Sequence, residues 1–280
     1  MKFTIIGHFC FDITHHPNGT ETKEYAGIFR TITTLSKFAT STDTIYPIFG
    51  VNKKDKEEVK QKLSSYKNVD TSGIFSSTEE TNQIHIFFNE EKKIECSKHI
   101  ASPIPFSAIK PYLATDGVLI NMSSGVDIAL ETLDEIRLAV REKNIPIHLD
   151  IHNLTLGINS DATRFRRPVS DWRRWCFMVD SVQMNEEEAA GLTVEKYDEE
   201  TLAKQMLPLM VKALCITRGG KGATLFSQER KTLVRKDFSG KNTDENIIGA
   251  GDIFGATFFY HYCMKKNFEE AIQCAMKNFQ

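Results

Sequence analysis

A chain of 280 residues, 41% of them hydrophobic, can bury a large core, and α/β folds of this size often stay a single domain. The formal net charge of −2 supplies no bulk positive field to hold a nucleic acid or an anionic membrane. No apolar stretch approaches the roughly 20 residues of a membrane-spanning helix, so the expectation is one soluble, cytoplasmic α/β domain over residues 1–280.

The six cysteines, Cys10, Cys96, Cys176, Cys215, Cys263 and Cys274, lie far apart, with no CxxC pair and no charged, cleavable leader ahead of them. That usage predicts reduced, mostly buried thiols. Phe3 to Gly7 is a short apolar run ended by glycine, the pattern of a strand buried on both faces of a parallel sheet. His15-His16 precede the turn residues Pro17-Asn18-Gly19 and are expected in a solvated loop.

Ile28, Ile32, Leu35 and Phe38 recur at helical spacing across residues 28–39. Ile45 to Phe49 predicts a strand, and residues 54–66 a charged amphipathic helix. Over residues 81–96, Ile84, Ile86 and Phe88 alternate with polar neighbours ahead of Asn89-Glu90-Glu91-Lys92, which predicts a hairpin. The βα alternation then resumes with a strand at Val118 to Ile120, a helix over residues 128–143, and strands at Ile145 to Ile151, Phe177 to Met184 and Ala213 to Thr217. Crossovers of this length predict a mostly parallel sheet flanked by helices.

Arg164, Arg166, Arg167, Arg173 and Arg174 crowd one stretch of an otherwise acidic chain. Two readings stand: they bind an anionic acceptor, or they solvate a surface beside Trp172 and Trp175. After Gly251, the residues Ile253, Phe254, Ala256, Phe258, Phe259 and Tyr262 are too apolar for a surface helix, so a buried one is expected. No internal repeat, low-complexity tract or linker divides the chain.

Gly249-Ala250-Gly251-Asp252 sits where that helix begins. The two glycines free the backbone so that successive N–H groups converge on one point, and the helix N-terminus adds about half an elementary positive charge. Asp252 in the first turn is placed to take the proton of an attacking hydroxyl, while Gly249, Ala250 and Gly251 cradle the transferring group. The same residues also suit a plain glycine-rich loop with Asp252 as a cap, worth about 1 kcal/mol.

Asn246-Ile247-Ile248-Gly249-Ala250-Gly251-Asp252-Ile253-Phe254, with four further matches in chain order, resembles the second signature of the ribokinase-like (PfkB) carbohydrate kinases. The resemblance runs over nearly the whole chain. Thr217-Arg218-Gly219-Gly220-Lys221-Gly222 looks like the family's T-x-G-x-x-G turn, in which Thr217, Gly219 and Gly222 would line the nucleotide phosphates; an ordinary hairpin turn is the other reading. Asn185-Glu186-Glu187-Glu188 is similar to the N-x-x-E motif, in which Asn185 and Glu188 would organise Mg²⁺ through its waters. As a charge run at a helix start, the same segment needs no ion. Asp12 matches an aspartate that bonds sugar hydroxyls, and Gly50 a glycine after the second strand.

The resemblance implies a Rossmann-like α/β domain with a small β lid, its strands within residues 11–26 and 81–96. It also implies ATP and Mg²⁺ as cofactors, and γ-phosphate transfer to an alcohol of a sugar or sugar-like small molecule, Asp252 acting as base. A homodimer through the lid is compatible with it. Because it places Asp150 at a strand end near the active site, His148, Asp150 and His152 are read as strand-end residues rather than as metal ligands, although they share period two.

The chain departs from the family at three places. The first signature, G-G-x-x-x-N, is Ala26-Gly27-Ile28-Phe29-Arg30-Thr31 here. It keeps Gly27 and puts Thr31, with one short hydroxyl, where an asparagine would offer a donor and an acceptor to the sugar. Phe29 becomes a candidate to stack on a nucleobase. Asn246 and Ile248 replace the aspartate and threonine of a monovalent-cation site, which predicts weak or absent potassium activation. The chain also ends sooner than its relatives, so the adenine pocket is expected to be open or completed by a partner. Two further readings fit the same resemblance: a ligand-binding or regulatory descendant with impaired catalysis, and a nucleoside or vitamin kinase.

Overall fold

The computed structural model describes residues 1–89, 92–240 and 249–278. Its main sheet has nine strands. Seven pair in parallel in the order Ile74–Ser77, Thr44–Asn52, Lys2–Ile6, Gly117–Asn121, Ile147–Asp150, Ser181–Asn185 and Ala213–Thr217. Gly222–Glu229 and Thr232–Ser239 extend one edge antiparallel. Near-continuous apolar runs build the central strands because both faces are covered. In the strand Ala213–Thr217, Ala213 and Cys215 pack with Phe254, Phe258 and Tyr262, whereas Leu214 and Ile216 join a cluster containing Leu202, Ala203 and Met206.

The helix Ala250–Lys265 is apolar nearly all round and is buried accordingly. Helix Ile28–Phe38 and helix Phe268–Asn278 both pack on it, and its inner side meets the strands Gly117–Asn121 and Ser181–Asn185. Phe258 and Phe259 are fully buried. Phe259 meets Phe3 edge-on at 5.7 Å, and Phe258 lies 5.3 Å from the ring of His148.

A separate four-stranded sheet runs in the order Glu21–Gly27, Phe9–His15, Asn82–Asn89 and Lys92–Lys98, with its central pair parallel. Period-two alternation sorts its residues: Cys10, Asp12, Ile84 and Ile86 border a cleft, and Phe9 and Phe11 turn the other way to pack on Tyr25.

Four expectations are corrected. His15 is not in a solvated loop; it ends a strand, its ring stacks on Phe87 at 4.2 Å, and its Nε2 lies 2.8 Å from His85 Nδ1. The partner strand is distant in sequence, so the local turn signal at Pro17-Asn18-Gly19 could not reveal the pairing. Phe177 does not begin a strand but closes the helix Trp172–Phe177 with its side chain half-exposed, and the strand starts at Ser181. A short apolar run suits either element. Gly50 lies inside the strand Thr44–Asn52 rather than after it. Phe29 is buried beside Tyr25 and Phe9, so it has no face to offer a nucleobase.

None of the six cysteines forms a disulfide among the described residues. No helix among the described residues is long and apolar enough to cross a membrane. Asn246, Ile247 and Ile248 lie outside the described residues, as do Glu90 and Glu91.

Phe259→Ala would open a cavity where helix and sheet meet. It is expected to cost about 3–5 kcal/mol, measured as a lower urea midpoint at unchanged slope.

Candidate active site

Parallel strands leave their carboxyl ends along one edge of a sheet, and ligands of open α/β sheets gather there. Asn121, Asp150, Asn185 and Thr217 are the last residues of four adjacent strands. Asn121 is in register with Asp150, and Asn185 with Thr217. Helix Ala250–Lys265 lays its first turn over this edge. Gln183 Nε2 donates to the Gly251 carbonyl at 2.9 Å, and Asn121 Nδ2 donates to Asp252 Oδ1 at 2.7 Å.

Between this edge and the second sheet lies a cleft of about 550 Å³. Asp252, Gly249, Asn185, Glu188 and His152 border it below, and Asp12, Cys10, Ile84 and Ile86 above. Gly27 and Gly249 border it too, and both adopt positive φ, +61° and +81°. A Cβ added at Gly27 would fall 2.5 Å from the His8 carbonyl oxygen, and one at Gly249 would fall 2.6 Å from Arg30 Cδ. Each position therefore needs glycine twice over, for its backbone and for its space.

Asn185 and Glu188 form a capping box at helix Glu186–Gly191. The Asn185 N–H and Nδ2 each donate to the Glu188 carboxylate at 2.8 Å, and the Glu188 N–H donates to Asn185 Oδ1 at 2.8 Å. Glu188 is buried, with His152 Nδ1 and Arg166 Nη1 each 4.0 Å from Oε1.

Carboxylates crowd this space. Burial pushes the Asp150 carboxyl up to about 8, opposed by His152 and reinforced by Glu188 and Asp252. Burial likewise raises Glu188 against the pull of His152, the Asn185 N–H and Arg166. For His152, burial works against protonation, but Asp150, Asp252 and Glu188 outweigh it and raise the imidazole. Arg30 Nη2 donates to Asp12 Oδ2 at 2.8 Å. Arg164 pairs with Glu95 at 3.2 Å and Arg166 with Glu187 at 3.2 Å.

The fold agrees with that of known proteins. Residues 159–277 match the pfkB family of carbohydrate kinases. The chain superposes on a pyrophosphate-dependent kinase in the ribokinase family, solved as a sulfate complex, at 17% identity and a TM-score of 0.80, covering 99% of this chain and 92% of that one. The fold is ribokinase-like. Arabidopsis thaliana ribokinase complexed with ribose and ATP aligns at 16% identity and a TM-score of 0.73, covering 98% of this chain and 90% of that one. A Burkholderia thailandensis nucleoside kinase complexed with inosine aligns at 14% identity and a TM-score of 0.71, covering 100% and 90%. No curated protein matches the chain by sequence.

On this ribokinase-like scaffold the residues singled out by sequence divide into two groups. Asp252, Gly249, Asn185, Glu188, Asp12 and Gly27 share the cleft, and Ala250 and Gly251 lead the helix beside it. Thr217 is buried beside Asn185 on the next strand. Gly219 and Gly222 belong to the hairpin turn leading to strand Gly222–Glu229, and none of these three borders the cleft. Thr31 does not border it either: it is buried, and its hydroxyl accepts from Asn121 Nδ2 at 3.0 Å. Of the five arginines, Arg164 and Arg166 border the cleft, while Arg173 covers Trp172 and Arg174 pairs with Glu131 and Asp134. His148, Asp150 and His152 do not form a metal cluster; among the described residues no group of three His, Cys, Asp or Glu side chains could hold one. Sequence reasoning passed over Asn121 and Gln183. Their only signal is a polar residue at or near the end of an apolar run.

The Asp150 shift has a consequence for stability. A carboxyl whose folded pKa lies above its unfolded value of about 3.9 disfavours the fold increasingly as pH rises between the two values. Replacing the carboxyl by an uncharged amide removes that penalty. The urea midpoint of Asp150→Asn relative to the parent is therefore expected to climb from pH 5 to pH 8 and level off above, and a difference that does not change with pH would contradict this assignment.

Proposed function

We propose that the chain is an ATP-dependent phosphotransferase acting on an alcohol group of a sugar or sugar-like molecule, with Asp252 as the general base. The observation that carries this reading is the position of Asp252. It stands in the first turn of a 16-residue helix whose N-cap, Gly249, provides no side chain. Its Oδ1 is held by Asn121, and it borders the cleft that Asp12 roofs.

The leading N–H groups of a helix have no partner within it. Those of Ala250, Gly251 and Asp252 are available to phosphoryl oxygens, with the helix dipole behind them. In the proposed step Asp252 takes the proton of the acceptor hydroxyl while that oxygen bonds to the γ-phosphorus. The bond from phosphorus to the bridging oxygen breaks, and ADP leaves with that electron pair. Asp12, fixed by Arg30, faces the acceptor side.

Asn185 and Glu188 are already bonded to each other, which fits a hydrated Mg²⁺ met through its waters rather than bound directly. Such an ion, when present, neutralises charge on the donor phosphates. Thr217, Gly219 and Gly222 remain the proposed donor-side residues on the adjacent strand end. Pyrophosphate is the second donor worth testing, because a fold relative is a pyrophosphate-dependent kinase.

Donor consumption measured with ATP and with pyrophosphate, each with Mg²⁺, across sugars, sugar phosphates, polyols and nucleosides is expected to find turnover with ATP. Asp252→Asn should lower kcat by about a hundredfold or more with an unchanged circular dichroism spectrum. Full turnover in that variant would remove Asp252 from the role of base. Ligand binding without consumption of either donor would favour an impaired, ligand-binding protein.

A further inference from the structure

Asn121 ends the strand Gly117–Asn121 and is almost completely buried. Its Nδ2 donates twice, to Asp252 Oδ1 at 2.7 Å and to Thr31 Oγ1 at 3.0 Å. Its Oδ1 is buried with no partner among the described residues. The orientation of the amide is thereby settled. Turned over, it would set its oxygen against the Asp252 carboxylate and leave that carboxylate without a donor, an arrangement the buried site disfavours more than one orphaned carbonyl oxygen.

We infer that Asn121 is a positioning residue for the base: it fixes one oxygen of Asp252 so that the other is presented to the acceptor hydroxyl, and Thr31 steadies Asn121 rather than touching the acceptor. This inference rests on the reading of Asp252 as base. Oδ1 is occupied by the amide, and Oδ2 lies toward Gly249, 3.5 Å from a Cβ built there. One carboxylate oxygen is therefore committed to structure while the other faces the helix N-terminus, where the transferred group would sit. The side chains come from three elements: Thr31 from helix Ile28–Phe38, Asn121 from the sheet and Asp252 from helix Ala250–Lys265. Their bonds lock the two helices at the strand end, and a carboxylate held in this way needs no reorganisation when the hydroxyl arrives. The short Thr31 hydroxyl suits this task, because a longer amide at the same place would compete with Asn121 for Asp252.

Nitrogen-15 NMR of the full chain reads the network without any substrate. The Asn121 side-chain NH₂ resonances, assigned by their loss in Asn121→Leu, should move in both Thr31→Val and Asp252→Asn. Resonances indifferent to Asp252→Asn would overturn the inference. With the acceptor and donor found in the screen, Asn121→Leu should lower kcat by about tenfold or more while either KM changes less than about twofold, the pattern of lost transition-state positioning. A kcat within about twofold of the parent would overturn the inference, even if Asp252→Asn is inactive. The near-isosteric Asn121→Asp, which keeps the volume if the leucine variant does not fold, should move the acid limb of the pH–rate profile upward by about one unit or more, since two touching carboxylates cannot both ionise readily. An unmoved limb would sink the proposal. Full turnover in Asp252→Asn would instead sink the assignment of the base, so the two failures can be told apart.

Discussion

The seating of helix Ala250–Lys265 on the sheet is the contact on which the other placements depend. Phe258 and Phe259 are fully buried in the apolar clusters they share with the sheet strands, and interiors packed to crystal density do not allow a helix to slide by a fraction of a turn. The first turn of that helix is therefore fixed over the ends of the strands Gly117–Asn121 and Ser181–Asn185. A large, non-directional apolar term thus decides where a small, directional one can form. The 2.7 Å bond from Asn121 to Asp252 follows from where the phenylalanines pack.

The cleft concentrates carboxylates, of which Asp12, Glu188 and Asp252 are buried, and the chain manages them by local pairing. Arg30 sits on Asp12, Arg164 on Glu95, and Arg166 on Glu187 with Glu188 nearby. Where burial outweighs pairing, the carboxyl is pushed above its ordinary range, as at Asp150 and Glu188. A polyphosphate entering beside Asp12, Glu188 and Asp252 meets like charge on several sides. In the proposed reaction this is the reason a divalent cation would accompany the donor, and the reason the uncharged N–H groups of the helix start matter more than any one arginine.

Much of this was legible in the sequence where one local pattern has one physical outcome. Gly249-Ala250-Gly251-Asp252 ahead of an all-round apolar stretch leaves little choice but a tight turn into a buried helix, and Ala213 to Thr217 forms a strand with the expected bounds. Local pattern failed where the partner was distant. Nothing near Thr31 or Asn121 in the chain says that they meet, because the contact spans 90 residues and exists only once helix and sheet are stacked. Phe29 and Arg30 are neighbours that part ways, one into the core and one into the cleft. Only the rotation of the helix about its axis decides which goes where. Asn185 and Glu188 were legible as a pair, but not as a pair bonded mainly to each other.

The roof of the cleft carries a consequence for how the molecule is made. Its central pairing joins Phe9–His15 to Asn82–Asn89 in parallel, so that His15 bonds a histidine 70 residues further along the chain. Between them lie the strand Glu21–Gly27, the helix Ile28–Phe38, the strand Thr44–Asn52, the helix Lys56–Ser64 and the strand Ile74–Ser77. Closing so long a loop costs entropy before any contact repays it. Until that pairing closes, the edge of Phe9–His15 opposite Glu21–Gly27 is left open, and an open strand edge is where another chain can add a strand.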